Sequence, residues 1–298
     1  MRWTPGGQSP DIEDRRGQSG SDVGFGRPGG FGGPVFGRLG FNSRGLGLGG
    51  LILLIVLSLV FRALFESGAP APSHSTATRV NQNTDGAASG DREVQFISFV
   101  LDDAQKTWER LLPQMGVPYR HAKLVLFRDY TTSACGPAQS ETGPFYCPAD
   151  EKIYVDLGFF DELASRTGAP SEFGQAYVVA HELGHHVQKL LGIESKVSRL
   201  RQANPSISNP LSVRMELQAD CLAGVWGHTT QQRNLIDESD VSAGMDAVAA
   251  VGDDRLQKVS RGYVSPESFT HGSSAQREVW FRRGLESGEV SACNTFGN

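Results

Sequence analysis

The order of apolar and polar positions divides the chain before any motif is considered. Residues 1–44 carry no apolar period and are dominated by Gly, Arg, Ser, Asp and Pro. Such a stretch buries too little apolar surface to offset its chain entropy, which predicts a disordered Gly/Arg-rich segment. From residue 45 to residue 61 the chain then runs without a charge, ending Leu-Ile-Val-Leu-Ser-Leu-Val-Phe, and Ala63, Leu64 and Phe65 extend it past Arg62. That length lies at the short end of the roughly 17–25 apolar residues that cross a bilayer. A cleaved signal peptide has a short basic leader, whereas this run starts only at residue 45; residues 45–65 therefore read as an uncleaved transmembrane signal anchor. Arg27, Arg38 and Arg44 precede it, against Arg62 and Arg79 beyond, a slight bias that places the amino terminus in the cytoplasm. Residues 66–90 are mostly Ser, Thr, Ala, Pro, Asn and Gly and read as a linker.

Regular periods begin in the stretch 91–298. Val94, Ile97, Val100, Leu101, Trp108, Leu111 and Leu112 fall near helical spacing, and Pro113 marks a stop. Lys123–Phe127 and the stretch from Lys152 to Leu157 read as short strands. Helical patterns follow over about 171–191, 210–226, 239–258 and 274–287. A few strands and then a run of helices indicate an α+β domain.

Composition narrows the function classes. The 298 residues carry a formal net charge of −5 with no stripe of Lys and Arg, so nothing marks a nucleic-acid interface. All four cysteines, Cys135, Cys147, Cys221 and Cys293, lie in the later domain. An even count fits two disulfides in an oxidising compartment, which puts that domain on the extracytoplasmic side of the cell (inner) membrane. The loop from Cys135 to Cys147 suggests one pair, leaving Cys221 and Cys293 to tie the carboxy-terminal tail to a helix, although four cysteines permit three pairings. None has the close spacing of a zinc knuckle.

The chemistry concentrates on two helices. His181-Glu182-Leu183-Gly184-His185 is an H-E-x-x-H pattern, and on a helix positions i and i+4 share one face. His181 and His185 can thus aim at one Zn2+, with Glu182 beside them as general base. A catalytic zinc takes three protein ligands, and Glu216 on the downstream helix is the candidate third. Asp220, one turn on, is placed to accept the far ring N–H of a zinc histidine. Paired acids usually mark a solvated face, but Leu217, Ala219, Leu222, Val225 and Trp226 make this helix largely apolar. His186 projects about 100° away from the pair around the helix and is not a ligand candidate. His121 and His228 have no partner pattern.

The pairing of His-Glu-Leu-Gly-His-His with Met-Glu-Leu-Gln-Ala-Asp resembles zincins of the gluzincin type. Ser133-Ala-Cys-Gly136, Gly143-Pro-Phe-Tyr-Cys-Pro148, Gly252-Asp-Asp-Arg-Leu-Gln257 and Phe269-Thr-His-Gly-Ser-Ser-Ala-Gln-Arg277 are similar to a narrower group, the bacterial neutral zinc metallopeptidase family (YpfJ-like). That resemblance implies a zincin-like domain with a small sheet and an active-site helix, acting on a peptide or protein substrate. It also nominates His271 as a donor to the transition state, with Arg277 holding a weaker claim to the same role. Two rivals remain: a zinc hydrolase of a non-peptide amide, and a non-catalytic zinc-binding interaction module of the envelope. Retention of Glu182 disfavours the module, which needs no base.

Overall fold

The structure is a computed structural model that describes residues 1–17, 83–139, 142–167 and 172–297. Its strands are β1 (Ile12–Asp14), β2 (Lys123–Phe127), β3 (Tyr130–Ser133), β4 (Gly136–Gln139), β5 (Phe145–Cys147) and β6 (Lys152–Asp156). One sheet has the order β1-β2-β6-β5, with β1, β2 and β6 parallel and β5 antiparallel at the edge; β3 and β4 form a separate hairpin. The apolar runs of β2 and β6 follow from this placement, because interior strands covered on both faces need no polar alternation.

The helices are α1 (Asn83–Gln114), α2 (Gly158–Thr167), α3 (Glu172–Leu190), α4 (Ile193–Ala203), α5 (Ser208–Gln232), α6 (Glu238–Ala250), α7 (Asp253–Arg261) and α8 (Ser274–Ser287). Ile97, Leu101 and Trp108 of α1, Leu124 and Val155 of the sheet, Val179 and Leu183 of α3, Trp226 of α5 and Phe281 of α8 share one buried core. The result is a mixed α+β fold, mostly helical, with α3 and α5 both at its centre. Two glycine contacts set the spacing of the central helices. A Cβ on Gly184 of α3 would lie 3.1 Å from the carbonyl oxygen of Ala219, and a Cβ on Gly284 of α8 only 1.9 Å from that of Cys221. Larger residues at either point would push α5 away from its neighbours.

The expected disorder of residues 1–44 is corrected for its first part: residues 1–17 are folded onto the domain. Three anchors hold them. The α-amino group of Met1 meets Asp240 at 2.6 Å, Trp3 packs on Phe96 and Phe99, and buried Ile12 sits in β1, paired in register with Leu124. No apolar period announces such a segment, because each anchor answers a partner far along the chain. Residues 18–44, the proposed anchor at 45–65 and residues 66–82 lie outside the described residues. The helix α1 begins at Asn83, within the expected linker.

Chain continuity bears on the expected sidedness. One crossing by residues 45–65 would put residue 17 and residue 83 on opposite sides of a bilayer, yet both belong to one folded unit. A cytoplasmic amino terminus with the domain outside is therefore incompatible with β1 in its own sheet. Among the described residues no helix is long and apolar enough to cross a membrane.

The expected helix over 239–258 is broken into α6 and α7 at Val251 and Gly252. A Cβ on Gly252 would come within 2.5 Å of the Ser274 backbone nitrogen, so the chain turns where α8 begins. Two disulfides form, Cys135–Cys147 and Cys221–Cys293.

Candidate metal centre

Helix α3 is buried nearly all round, so its polar side chains must find partners inside the protein. His181 and His185 stand one turn apart with their rings at 89° and centroids 4.9 Å apart. Glu216 of α5 faces both: its Oε2 is 3.2 Å from His181 Nε2, and its Oε1 is 3.6 Å from His185 Nε2. Among the described residues these three form a cluster able to hold a metal, their ligand atoms all within 4.8 Å of one another. Zinc bonds of about 2.0–2.1 Å in tetrahedral geometry place neighbouring ligand atoms roughly 3.3–3.4 Å apart. The separations of Glu216 from the two histidines, 3.2 and 3.6 Å, fit that demand.

The far nitrogens are equally constrained. His181 Nδ1 meets Asp220 Oδ1 at 2.9 Å, and His185 Nδ1 meets Gln188 Oε1 at 2.8 Å. An acceptor at each Nδ1 fixes the proton there and turns the Nε2 lone pair toward Glu216. Asp220 is itself fully buried. It accepts from Tyr177 Oη at 2.5 Å and from two nitrogens of Arg277, Nε to Oδ2 and Nη2 to Oδ1, each at 2.9 Å. Gln188 donates to the Met215 carbonyl and to Gln218 Oε1, and Gln218 donates to the Cys293 carbonyl. Each histidine thus has its own supporting chain.

The electrostatics favour a cation at the centre. Burial opposes charge on Asp220, but Arg277 and His181 outweigh it and hold its carboxyl down at about 2. Burial likewise opposes charge on Glu216, and the two histidines win, keeping it well below the usual carboxylate range. Without a metal, burial would depress His181, yet Asp220 and Glu216 push it up to about 10. The pocket therefore attracts positive charge at the point between the three side chains.

Glu182 lines the same cleft and is buried, but no hydrogen bond or ion pair engages it among the described residues. Its carboxylate is available to a small molecule. His271 also lines the cleft, with its side chain about half exposed. Its Nδ1 is 3.2 Å from Asp253 Oδ1, while Asp253 Oδ2 accepts the backbone N–H groups of Thr270, His271 and Gly272. Asp253 raises the His271 pKa through that contact, which outweighs burial. The edge strand β5 forms one wall through Phe145 and Tyr146.

The structure brings together His181, Glu182, His185, Glu216, Asp220 and His271, all singled out in the sequence. Arg277 also lines the cleft, and its guanidinium is engaged by Asp220, Tyr177 and the Val251 carbonyl behind His181. His186 is held elsewhere, by Tyr146 Oη and the Arg120 carbonyl. Gln188, Tyr177 and Asp253 were missed. Gln188 is three residues after His185 and Tyr177 four before His181, so helical spacing does carry a signal for both.

The sequence matches, over residues 1–296, the family model described as "Putative neutral zinc metallopeptidase". The chain belongs to that neutral zinc metallopeptidase family. It is 46% identical to "Uncharacterized protein YpfJ" of Escherichia coli (strain K12) over 303 residues, covering 100% of this chain and 99% of that one. It is 42% identical over 200 residues to "Uncharacterized protein Rv2575" of Mycobacterium tuberculosis (strain ATCC 25618 / H37Rv), covering 63% of this chain and 66% of the relative. No solved structure matches the chain. The family name implies zinc, and the His181, His185 and Glu216 cluster is where this member offers to hold it.

Proposed function

We propose that this chain is a zinc metallopeptidase of zincin-like architecture that hydrolyses peptide bonds. The observation carrying the proposal is the convergence of His181 Nε2, His185 Nε2 and both Glu216 oxygens beside an unengaged Glu182. Bound by those three residues, zinc supplies a Lewis acid and lowers the pKa of a water to about 7. Glu182 takes the proton of the attacking water and passes it to the leaving amine. His271, oriented by Asp253, donates to the oxyanion that develops on the former carbonyl. Asp220 and Gln188 keep the two histidines in the tautomer that leaves Nε2 free.

An extended substrate suits this cleft better than a small amide. The cavity is about 900 Å³. Among the described residues β5 pairs only with β6, which leaves its outer edge to take a peptide strand by backbone hydrogen bonds.

We further propose that residues 45–65 attach the protein to a bilayer, with the disulfide-bonded domain on the extracytoplasmic side.

The deciding experiment is hydrolysis of a peptide library by the zinc-loaded chain and by Glu182→Gln. The expected result is zinc-dependent cleavage, abolished in Glu182→Gln with zinc content unchanged. Cleavage that survives the substitution refutes the role of Glu182. Absence of any zinc-dependent cleavage refutes the peptidase.

A further inference from the structure

One cation in the cleft wall is not consumed by the protein. Arg201 lies near the end of α4 and lines the cleft together with Met215 and Glu216. Its Nη2 donates to Ser212 Oγ at 2.8 Å, a neutral acceptor that is itself anchored on the Ser208 carbonyl. Its Nε is buried and has no acceptor, the one such side-chain atom among the described residues. No carboxylate pairs with it among the described residues. Arg277, by contrast, is fully engaged by Asp220, and His271 is engaged by Asp253.

A buried donor without a partner is destabilising, and a guanidinium near low-dielectric walls attracts a planar anion strongly. We propose that Arg201 binds a carboxylate of the bound peptide and so determines specificity, an inference that rests on the peptidase reading of the same cleft. A small rotation of the guanidinium sets its fork against a carboxylate in the cleft and gives Nε its missing acceptor.

Ser212 fixes where that carboxylate sits. Ser212 and Glu216 are four residues apart on α5, hence on one face and roughly 6 Å from each other. One residue of an extended peptide spans about 3.3–3.6 Å. The anionic group therefore lies within a few residues of the bond presented to His181, His185 and Glu216. Glu194, also on the cleft wall and two turns earlier on α4, repels an anion from the other end of the helix. Together the two side chains give α4 a polarity that sets the register of the substrate.

Two sources supply such a carboxylate: the carboxy terminus of a peptide, or an internal Asp or Glu. Binding separates them without requiring turnover. The probes are an acetylated alanine–phenylalanine pentapeptide as the free acid, the same peptide as its carboxy-terminal amide, and the amide with one internal glutamate or glutamine. Each is titrated into full-length Glu182→Gln protein, with and without zinc, in the presence and absence of Arg201→Gln. One acidic probe is expected to bind about tenfold to a hundredfold more tightly than its neutral twin, and Arg201→Gln is expected to erase that difference. Preference for the free acid over the amide assigns the peptide terminus, and preference for glutamate over glutamine assigns the side chain. Equal binding of acid and neutral probes overturns the proposal, as does a preference that persists in Arg201→Gln. Thermal unfolding of Arg201→Gln, with Arg201→Lys as a charge-retaining control, separates lost recognition from a loosened α4. Failure of peptide hydrolysis in the wild-type chain refutes the peptidase reading and leaves the binding result to stand or fall alone.

Discussion

Asp220 and Arg277 form a bidentate pair in which both side chains are buried, linking α5 to α8 directly behind His181. Removing one partner strands the other charge in a low-dielectric interior. Arg277→Met is expected to destabilise the protein by about 3–5 kcal/mol, because the Asp220 carboxylate loses its compensating cation. Asp220→Asn is expected to weaken zinc binding by about tenfold to a hundredfold, since the amide supports His181 Nδ1 less well. Denaturant unfolding and zinc competition measure the two effects separately.

The pH dependence of metal binding follows from His181. In the metal-free protein its pKa is raised from 6.5 to about 10. A raised histidine contributes stability fully below its unfolded value and loses it as pH climbs through the folded value. The metal-free fold should therefore lose this contribution between pH 6.5 and 10. Zinc must displace that proton and any held by His185, whose pKa is also raised, so its affinity should rise by at least about tenfold per pH unit across that window. A competition titration at successive pH values reads the slope, and a flat profile contradicts the coupling.

The role proposed for His271 is on the substrate and not on the metal. His271→Ala should lower kcat by about a hundredfold while zinc content stays constant. Asp253→Asn should do less to kcat but should loosen the loop from Thr270 to Gly272, whose three backbone N–H groups it holds. Single-turnover kinetics and limited proteolysis distinguish the two.

The disulfides should differ in reach. Cys221–Cys293 encloses 72 residues and Cys135–Cys147 encloses 12. Loop-closure entropy predicts losses of about 4 and about 3 kcal/mol when each is replaced by serines. Only the first should also weaken zinc, because the Cys293 carbonyl holds Gln218, which holds Gln188, which orients His185. Zinc affinity of the two serine variants checks this asymmetry.

Sidedness is equally testable. Single cysteines placed at Gln8 and at Phe296, in intact cells, should react with an impermeant thiol reagent from the same face of the membrane. Opposite labelling would mean that β1 does not occupy its own chain's sheet.

The site was more legible than the fold around it. His181, Glu182 and His185 are a local pattern, and Glu216 with Asp220 repeats the same one-turn spacing on a second apolar helix. Geometry that sequence spacing encodes was therefore readable. β2 and β6 were visible because both their faces are covered. By contrast α4 reads as a polar stretch after Gly192, with Val197 its one fully buried residue, so few apolar positions announce it. β5 is three residues long, and β1 depends on a partner more than a hundred positions away. The partner of Arg277 was hidden for a related reason: a polar residue on a helix discloses its partner only when the crossing at Gly224 and Gly284 brings α8 against α5.

The pairing of Ile12 with Leu124 also dictates an order of events during synthesis. The first strand to leave the ribosome has no partner until β2 emerges, which at about 5–20 residues per second takes roughly ten seconds. The apolar run at 45–65 is synthesised within that interval, before the sheet exists. Residues 1–17 therefore join the domain only after the sheet that receives them has been made.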